Sequence, residues 1–548
     1  MSQARSAGDP VTQAGPTPTA AAGPTMTHRE VLEAMSGLLL AMFVAMVSST
    51  IVTNALPVIV TDLDGSQTGY TWVVVALLLA MTATTPLWGK LADLFDKKLL
   101  VQLALVIFSI GSLVAALAPN MGVLITARVI QGLGVGGLTA LVQVIIAGLV
   151  SPRERGRYTG YIGATFAVAT VSGPLAGGLI VDSPLGWRGC FYVVLPVAVG
   201  AFVVLQRTLH LPTRRREVSI DYLGALLLMG GVSALLIWIS LAGNSFDWGS
   251  APSLSLVALG VVLVAAATWV EARVAADPII PLRLFRDRTT RLATIASASI
   301  GLAMFGATVY LSQYFQLSRG MSPTQAGLMS VCMVGGLLVS SILTGRVIAA
   351  TGYWKRWLVG GAAVATLGLA LLGTIDGDTP IWLVGGYMAV LGTGIGATMQ
   401  NLVLAVQNNT AYADMGAVSS TVAFFRTMGG SVGVSVLGAV LAHQVADRVE
   451  TGVADLAASG RLDPEQLAEL QHSHGSIPDV SALPDPLRVL YEGAFGEAAG
   501  HLFLIAAPLG LLALICVLYI KEVPLRTTIE SEDEIAGRAP EPTAEPGR

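Results

Sequence analysis

The chain reads as an all-α polytopic membrane protein, and three observations predict that class. Fourteen long apolar segments fill most of its 548 residues, charged residues make up only 12% of the whole, and the bases gather in every second loop. A run of about 18–25 apolar residues is what a hydrocarbon core roughly 30 Å thick requires of a helix. Lipid offers no partner to an open backbone group, so the core of such a chain is helix packed on helix.

The segments fall at 36–60, 71–88, 99–118, 122–149, 158–181, 190–206, 221–242, 253–270, 292–315, 325–349, 357–375, 381–405, 418–441 and 500–520, with an especially tight junction at Pro119-Asn120. Bases follow the even-numbered segments: Lys90, Lys97 and Lys98 after the second, Arg153, Arg155 and Arg157 after the fourth. Arg207 and Arg214 to Arg216 come after the sixth, Arg273, Arg283, Arg286, Arg288 and Arg291 after the eighth, and Arg346, Lys355 and Arg356 after the tenth. The opposite loops hold mainly acids, among them Asp62, Asp64, Asp182, Asp247, Asp376 and Asp378. Cytoplasmic loops carry the excess of Lys and Arg, so both termini are expected in the cytoplasm. Bases spaced at topological intervals do not form a nucleic-acid surface; they orient the protein.

Cys190, Cys332 and Cys516 each lie in an apolar segment, too scattered for a disulfide framework or a metal site. Residues 1–27 lack a basic stretch ahead of an apolar one, so the first span is expected to act as an uncleaved insertion signal. Residues 1–35 read as a cytoplasmic N-terminus that is disordered and then amphipathic from His28, with Arg29, Glu30 and Glu33. The Pro- and Glu-rich end, 521–548, reads as an acidic disordered tail. One long extracytoplasmic loop is expected at about 442–499, with a short capped helix starting at Asp463-Pro464-Glu465 and carrying Leu467 and Leu470. His472 and His474 within it are too close together for a helix-borne metal pair.

An internal repeat is visible. Gly89-Lys90-Leu91-Ala92-Asp93-Leu94-Phe95-Asp96-Lys97-Lys98 follows the second segment, and Gly345-Arg346-Val347 with Gly352-Tyr353-Trp354-Lys355-Arg356 follows the tenth. Both are hairpins opened by glycine and closed by bases. They correspond if 36–206 and 292–520 are two six-helix bundles and 207–291 carries two inserted helices. Duplicated halves around a midplane site are a mark of secondary transporters.

Five ordered motifs carry a resemblance. Gly89 to Lys98 follows the pattern G-x-L-a-D-r-x-G-r-k, departing at Leu94 and Asp96, and Ala127-Arg128-Val129-Ile130-Gln131-Gly132-Leu133-Gly134 lies in the fourth segment. Gly173-Pro174-Leu175-Ala176-Gly177-Gly178 lies in the fifth and Trp187-Arg188-Gly189-Cys190-Phe191-Tyr192 opens the sixth. Tyr310-Leu311-Ser312-Gln313-Tyr314-Phe315-Gln316 and Gly320-Met321-Ser322-Pro323-Thr324-Gln325-Ala326-Gly327 straddle the ninth and tenth. Together they resemble the major facilitator superfamily, and within it the fourteen-span drug:proton antiporters, over nearly the whole chain. The resemblance implies the major-facilitator fold and a monomeric inner-membrane exporter that uses the proton gradient and no bound cofactor, and the excess of Arg over Lys points to a bacterial source.

Each motif also has a physical reading. Gly89 permits a tight turn, and Asp93, with Lys97 and Lys98, can hold the cytoplasmic side shut in one state. Gly173, Pro174, Gly177 and Gly178 remove bulk and a backbone donor, which suits a bending, closely packed helix. Arg128 lies about two turns inside its segment, where an unpartnered guanidinium costs about 2.5–3.5 kcal/mol. The resemblance implies a part for it in proton coupling, and Asp93 and Asp62 are further candidates. Arg426, with Gly429-Gly430, mirrors these features in the second half, where bonding to local carbonyls serves it equally well.

Ser48, Trp72, Tyr310, Gln313, Tyr314, Gln400, Asn401 and Gln407 are the candidate lining of a substrate cavity, because amphipathic aromatics and amides suit bulky lipophiles. Trp72 and Tyr310 serve equally well as interfacial anchors.

The pattern breaks where the resemblance leads one to expect an aspartate in the first span. The stretch reads Val47-Ser48-Ser49-Thr50-Ile51-Val52-Thr53-Asn54-Ala55-Leu56-Pro57, and serine carries no titratable proton. Leu77 likewise replaces a tyrosine. No carboxylate lies deep in any span, which weakens the case for cationic drugs and favours neutral or anionic lipophiles. The expected function is proton-driven export of a lipophilic compound by alternating access; the alternative is a dedicated exporter of a self-made antibiotic, lipid or metabolite. A membrane enzyme finds no nucleophile, base or metal constellation in the sequence, and a non-transporting sensor would not need intact switching motifs.

Overall fold

The apolar runs become helices because each satisfies its own backbone internally, and their ends fall where caps and glycines stand. In the computed structural model, residues 28–149, 152–209, 222–242, 246–274, 280, 282–410, 415–458 and 484–525 are described. The first half holds α1 (His28–Asp62), α2 (Gln67–Leu94), α3 (Lys97–Ala116), α4 (Met121–Leu149), α5 (Pro152–Val181), a single turn α6 (Gly189–Tyr192) and α7 (Val194–Thr208). Then come α8 (Tyr222–Leu241) and α9 (Ala251–Arg273), followed by a 3-10 turn at Leu282–Arg286. The second half holds α10 (Arg288–Leu317), α11 (Pro323–Thr351), α12 (Lys355–Leu372), α13 (Ile381–Asn408), α14 (Met415–Ala458) and α15 (Asp485–Tyr519).

Among the described residues thirteen helices are long and apolar enough to cross a membrane, with α6 and α7 forming one of them. Helix α8 adds the shorter apolar run Leu223–Ile239 and completes the set of fourteen. Asp96 starts α3 by accepting from the Lys98 amide at 2.7 Å. A full capping box starts α11, with Pro323 in its first turn and Ser322 and Gln325 bonding reciprocally. Gly352 ends α11 in the left-handed conformation, φ 76°.

Helix packing repeats between the halves. In the first, α1 packs on α5 and α7, α2 on α4, and α3 on α4 and α7; in the second, α10 packs on α14 and α15, α11 on α13, and α12 on α13 and α15. The halves meet through α5 against α11 and α14 against α2, again a symmetric pair. This is the expected pair of six-helix bundles. Helices α8 and α9 pack on each other, and α8 lies against α2 and α14 of the bundles. Its small separate core joins Ala225, Val232 and Leu236 to Phe424.

Three expectations are corrected. The amphipathic lead-in at 28–35 is continuous with α1, and Ala34 and Met35 are already buried, because the first turns pack against α7 at Leu205. The loop at 442–499 is helical at both ends. Helix α14 has 44 residues and α15 has 35, lengths of about 66 Å and 52 Å at 1.5 Å per residue, far more than a bilayer core needs. Their projecting parts brace each other, with Arg448 3.2 Å from Glu497 and Gly452 giving way to Leu490. Nor is the tail's beginning free. Glu522 accepts from the amides of Trp354 and Lys355, both at 2.9 Å, and Asn408 donates to the Val523 and Pro524 carbonyls. The capped helix at Asp463, His472 and His474, the bases Arg214 to Arg216, and residues 1–27 and 526–548 lie outside the described residues.

The candidate substrate cavity and its buried arginine

A cavity of about 50 Å³ lies between the bundles. From the first come Ser49, Thr50, Val74, Leu77, Leu78, Arg128, Phe166 and Thr170; from the second, Met304, Phe305, Thr308, Val309, Met333, Leu337 and Ile395. Seven helices contribute, and the inserted pair does not. The wall is mainly aliphatic and aromatic, the character of small-molecule sites.

The hydroxyls in that wall are already committed. Ser49 donates to the Ala45 carbonyl at 3.0 Å, Thr170 to Phe166 at 2.8 Å and Thr308 to Met304 at 2.8 Å, each one turn back in its own helix. Thr50 likewise donates to Met46 at 3.0 Å, and lies 3.3 Å from the Ala169 carbonyl of α5. A hydroxyl has a single proton to give, so these four turn acceptor lone pairs, not donors, to the cavity.

Arg128 is different. It is 2% exposed and lines the cavity. Its Nε donates to the Val73 carbonyl at 3.1 Å and its Nη1 to Gln131 Oε1 at 3.0 Å. Gln131 in turn donates through Nε2 to Ser112 at 2.8 Å and lies 3.4 Å from Ser48 Oγ. Arg128 Nη2 makes no hydrogen bond to a described residue, and none of the described ion pairs includes Arg128. Four helices therefore hold the guanidinium by neutral groups alone.

The eight expected cavity residues do not line this cavity. Ser48 is fully buried beside Gln131, behind the wall that Ser49 and Thr50 form. Consecutive residues point about 100° apart around a helix, so one step in register moves a side chain from wall to core. The Tyr310 hydroxyl is turned away to the Val434 carbonyl of α14, and that of Tyr314 donates to the Asp376 carbonyl at 2.7 Å, in the loop after α12. In that loop the Thr379 hydroxyl, bonded to the Asp376 carboxylate, holds its pKa below the usual value. Gln313 is fully buried and Trp72 half-buried on α2. Asn401 donates to the Ala397 carbonyl at 2.8 Å and Gln407 to Ser419 at 2.7 Å, while Gln400 lies across from Gly163.

The switching residues divide. Gly173 and Gly177 sit inside the first bundle, where added methyl groups would strike Thr50 and the Ile51 carbonyl of α1. Gly178 faces the other bundle, against the backbone of Thr324 and Pro323. Gly89 also lies between bundles, where a methyl would rest 3.6 Å from Ser420 of α14. Lys98 Nζ donates to the Gln206 carbonyl at 2.7 Å, fastening α3 to α7, and Lys97 is half-buried in the first turn of α3. The side chains of Asp93 and Pro174 lie outside the described residues. Asp62 accepts from the Trp187 indole at 2.8 Å and pairs with Arg188 at 3.4 Å, at the end of α1 and away from the cavity. Buried Arg426 Nη1 has no hydrogen-bond partner among the described residues, and the side chain does not line the cavity.

Two pseudosymmetric bundles around a central cavity define a transporter of small molecules. The chain belongs to the major facilitator superfamily, whose family model matches residues 38–434. It is 33% identical over 541 residues to an uncharacterized MFS-type transporter of Mycobacterium tuberculosis, covering 98% of this chain and 76% of that one. It is 35% identical to the efflux pump dotC of Dothistroma septosporum, with 90% of this chain and 84% of the pump covered. To the multidrug transporter protein MdtP of Bacillus subtilis it is 34% identical, with 74% of each covered. The fold is similar to that of the human organic anion transporter MFSD10, at TM-score 0.56 and 15% identity over 88% of this chain and all of that one. It is also similar to a bacterial homolog of the human lysosomal transporter Spinster, at TM-score 0.58 and 14% identity over 91% of this chain and all of that one.

Proposed function

We propose that the protein exports lipophilic small molecules from the cytoplasm by alternating access, coupled to the proton gradient across a bacterial inner membrane. The observation that carries this reading is the apolar cavity walled equally by both bundles. A rocking motion about the α5–α11 and α14–α2 contacts would turn such a cavity from one side to the other. Relatives described as efflux pumps and as a multidrug transporter support the outward direction. The end that bears the start of α1 and the close of α15 also bears Lys97, Lys98, Arg283, Arg286, Arg346 and Lys355, and the positive-inside rule supports a cytoplasmic side for it.

No carboxylate lines the cavity among the described residues, so the proton carrier of this reading sits near a helix end, with Asp93 the leading candidate and Arg128 coupling it to the cavity. One charge moving down 100 mV supplies about 2.3 kcal/mol, a gradient of roughly fifty-fold. The test is uptake of a lipophilic dye panel into inside-out vesicles containing the purified protein. Uptake that a protonophore collapses is expected. Absence of uptake for every dye, from folded protein, would replace this reading with the dedicated exporter.

A further inference from the structure

We propose that Arg128 is the anion-recognising group of the cavity, and that the ligand is an amphiphile with one negative charge on an apolar body. A carboxylate, sulfonate or phenolate of aromatic or aliphatic scaffold has that chemistry. Three observations converge. The wall hydroxyls have donated their protons to their own helices, so Arg128 is the one side-chain donor among the residues lining the cavity. Its Nη2 has no hydrogen-bond partner among the described residues, whereas Nε and Nη1 are fixed by Val73 and Gln131, which aims the guanidinium rather than leaving it to roam. And its charge has no counter-ion among the described residues: Ser48, where the resemblance leads one to expect an acid, meets the network only as a neutral hydroxyl. A guanidinium in a low-dielectric wall gains most from an anion presented there, and an Arg fork matches a carboxylate with paired bonds. A cation would meet repulsion at the same place.

The proposal deepens the export reading and rests on it for the view that the cavity is the substrate's path. A monoanion also responds to an inside-negative potential by itself, which removes the need for a carboxylate at Ser48. Gln131 is a positioning residue: it holds Nη1 while Nη2 meets the ligand.

The test is equilibrium binding to the full chain in phosphatidylcholine nanodiscs, with no gradient imposed, so that failure of transport and failure of this proposal are separable. The probes are naphthalene-1-acetate, its neutral amide, and 1-naphthylethylamine, which share an apolar body and differ in charge. The expected result is that the acid binds at least tenfold more tightly than the amide and the amine least tightly. Arg128→Gln erases the preference of acid over amide, and Arg128→Lys retains part of it. Arg426→Gln, which removes a guanidinium outside the cavity, keeps it. Should Arg128→Gln not fold, Ser48→Asp supplies an internal carboxylate beside Gln131 and is expected to weaken the acid at least tenfold while sparing the amide. Repeating the titration with phosphatidylglycerol in the disc distinguishes the source: an unchanged affinity assigns a free organic anion, and competition assigns an anionic lipid. Equal binding of acid and amide by the wild type, or an undiminished preference in folded Arg128→Gln, overturns the proposal.

Discussion

The carboxylate of Asp182, just past the end of α5, accepts a hydrogen bond from the hydroxyl of Thr324 in the first turn of α11. This bond crosses from one bundle to the other at the end opposite the start of α1 and the close of α15. One turn earlier on α5, Gly178 lies directly against the Thr324 backbone. Together they form a latch: the glycine lets the helices touch and the side chains fasten them.

Thr324→Val keeps the shape of the latch and removes its donor. A hydrogen bond of about 1 kcal/mol corresponds to roughly a fivefold shift toward opening. In a background lacking the three native cysteines, a cysteine at Leu77 in the cavity wall is expected to react about five times faster with an impermeant maleimide added at that end. An unchanged rate would show that the bond does not hold the ends together.

Gly178→Ala acts on the same contact by overpacking. A methyl forced against the Thr324 backbone costs about 1–3 kcal/mol in the closed arrangement and nothing once the helices part. The labelling rate at position 77 should therefore rise by about tenfold, more than in Thr324→Val, with the thermal stability of the purified protein little changed. Gly173→Ala, inside one bundle against Thr50, should instead lower the melting temperature without raising the labelling rate.

Gln131→Leu removes the centre of the buried network. It strands Arg128 Nη1 and takes a donor from Ser112, and each buried polar group left unpaired costs about 1–3 kcal/mol. A melting temperature lowered by several degrees in detergent is expected, with Gln131→Glu closer to wild type because a carboxylate beside Arg128 still accepts. If Gln131→Leu melts with the wild type, the network does not support the fold.

Glu522→Ala unties the chain that follows α15. The carboxylate caps α12 through the amides of Trp354 and Lys355, a favourable position for a negative charge at a helix N-terminus. Trypsin is expected to cut after Lys521 several times faster in this variant than in the wild type. Equal rates would mean that Val523 and Pro524, held by Asn408, suffice.

The membrane class, the helix count and the duplicated halves were legible in the sequence because each depends on local hydrophobicity and loop charge, which no tertiary contact alters. Arg128 was legible for the same reason: a lone base deep in an apolar run announces itself by its desolvation cost. The α14 and α15 extensions were not, since their charged residues resemble a loop until Arg448 meets Glu497 across the hairpin.

The cavity wall lay beyond sequence reasoning. In a helix that is apolar all round, the periodic contrast that marks the buried face of a soluble helix is missing, so nothing distinguishes Phe166 or Met304 from lipid-facing neighbours. The sequence by itself determined what kind of chain this is, how many times it crosses the bilayer and that Arg128 is a charge it buries. Only the tertiary structure decided that Ser49 and Thr50 face the cavity while Ser48 does not, that the threonines have spent their protons, and that Arg128 is left with a donor to offer. The reason is rotational: helix register and packing angle are set by contacts between segments hundreds of residues apart, and hydropathy is blind to both.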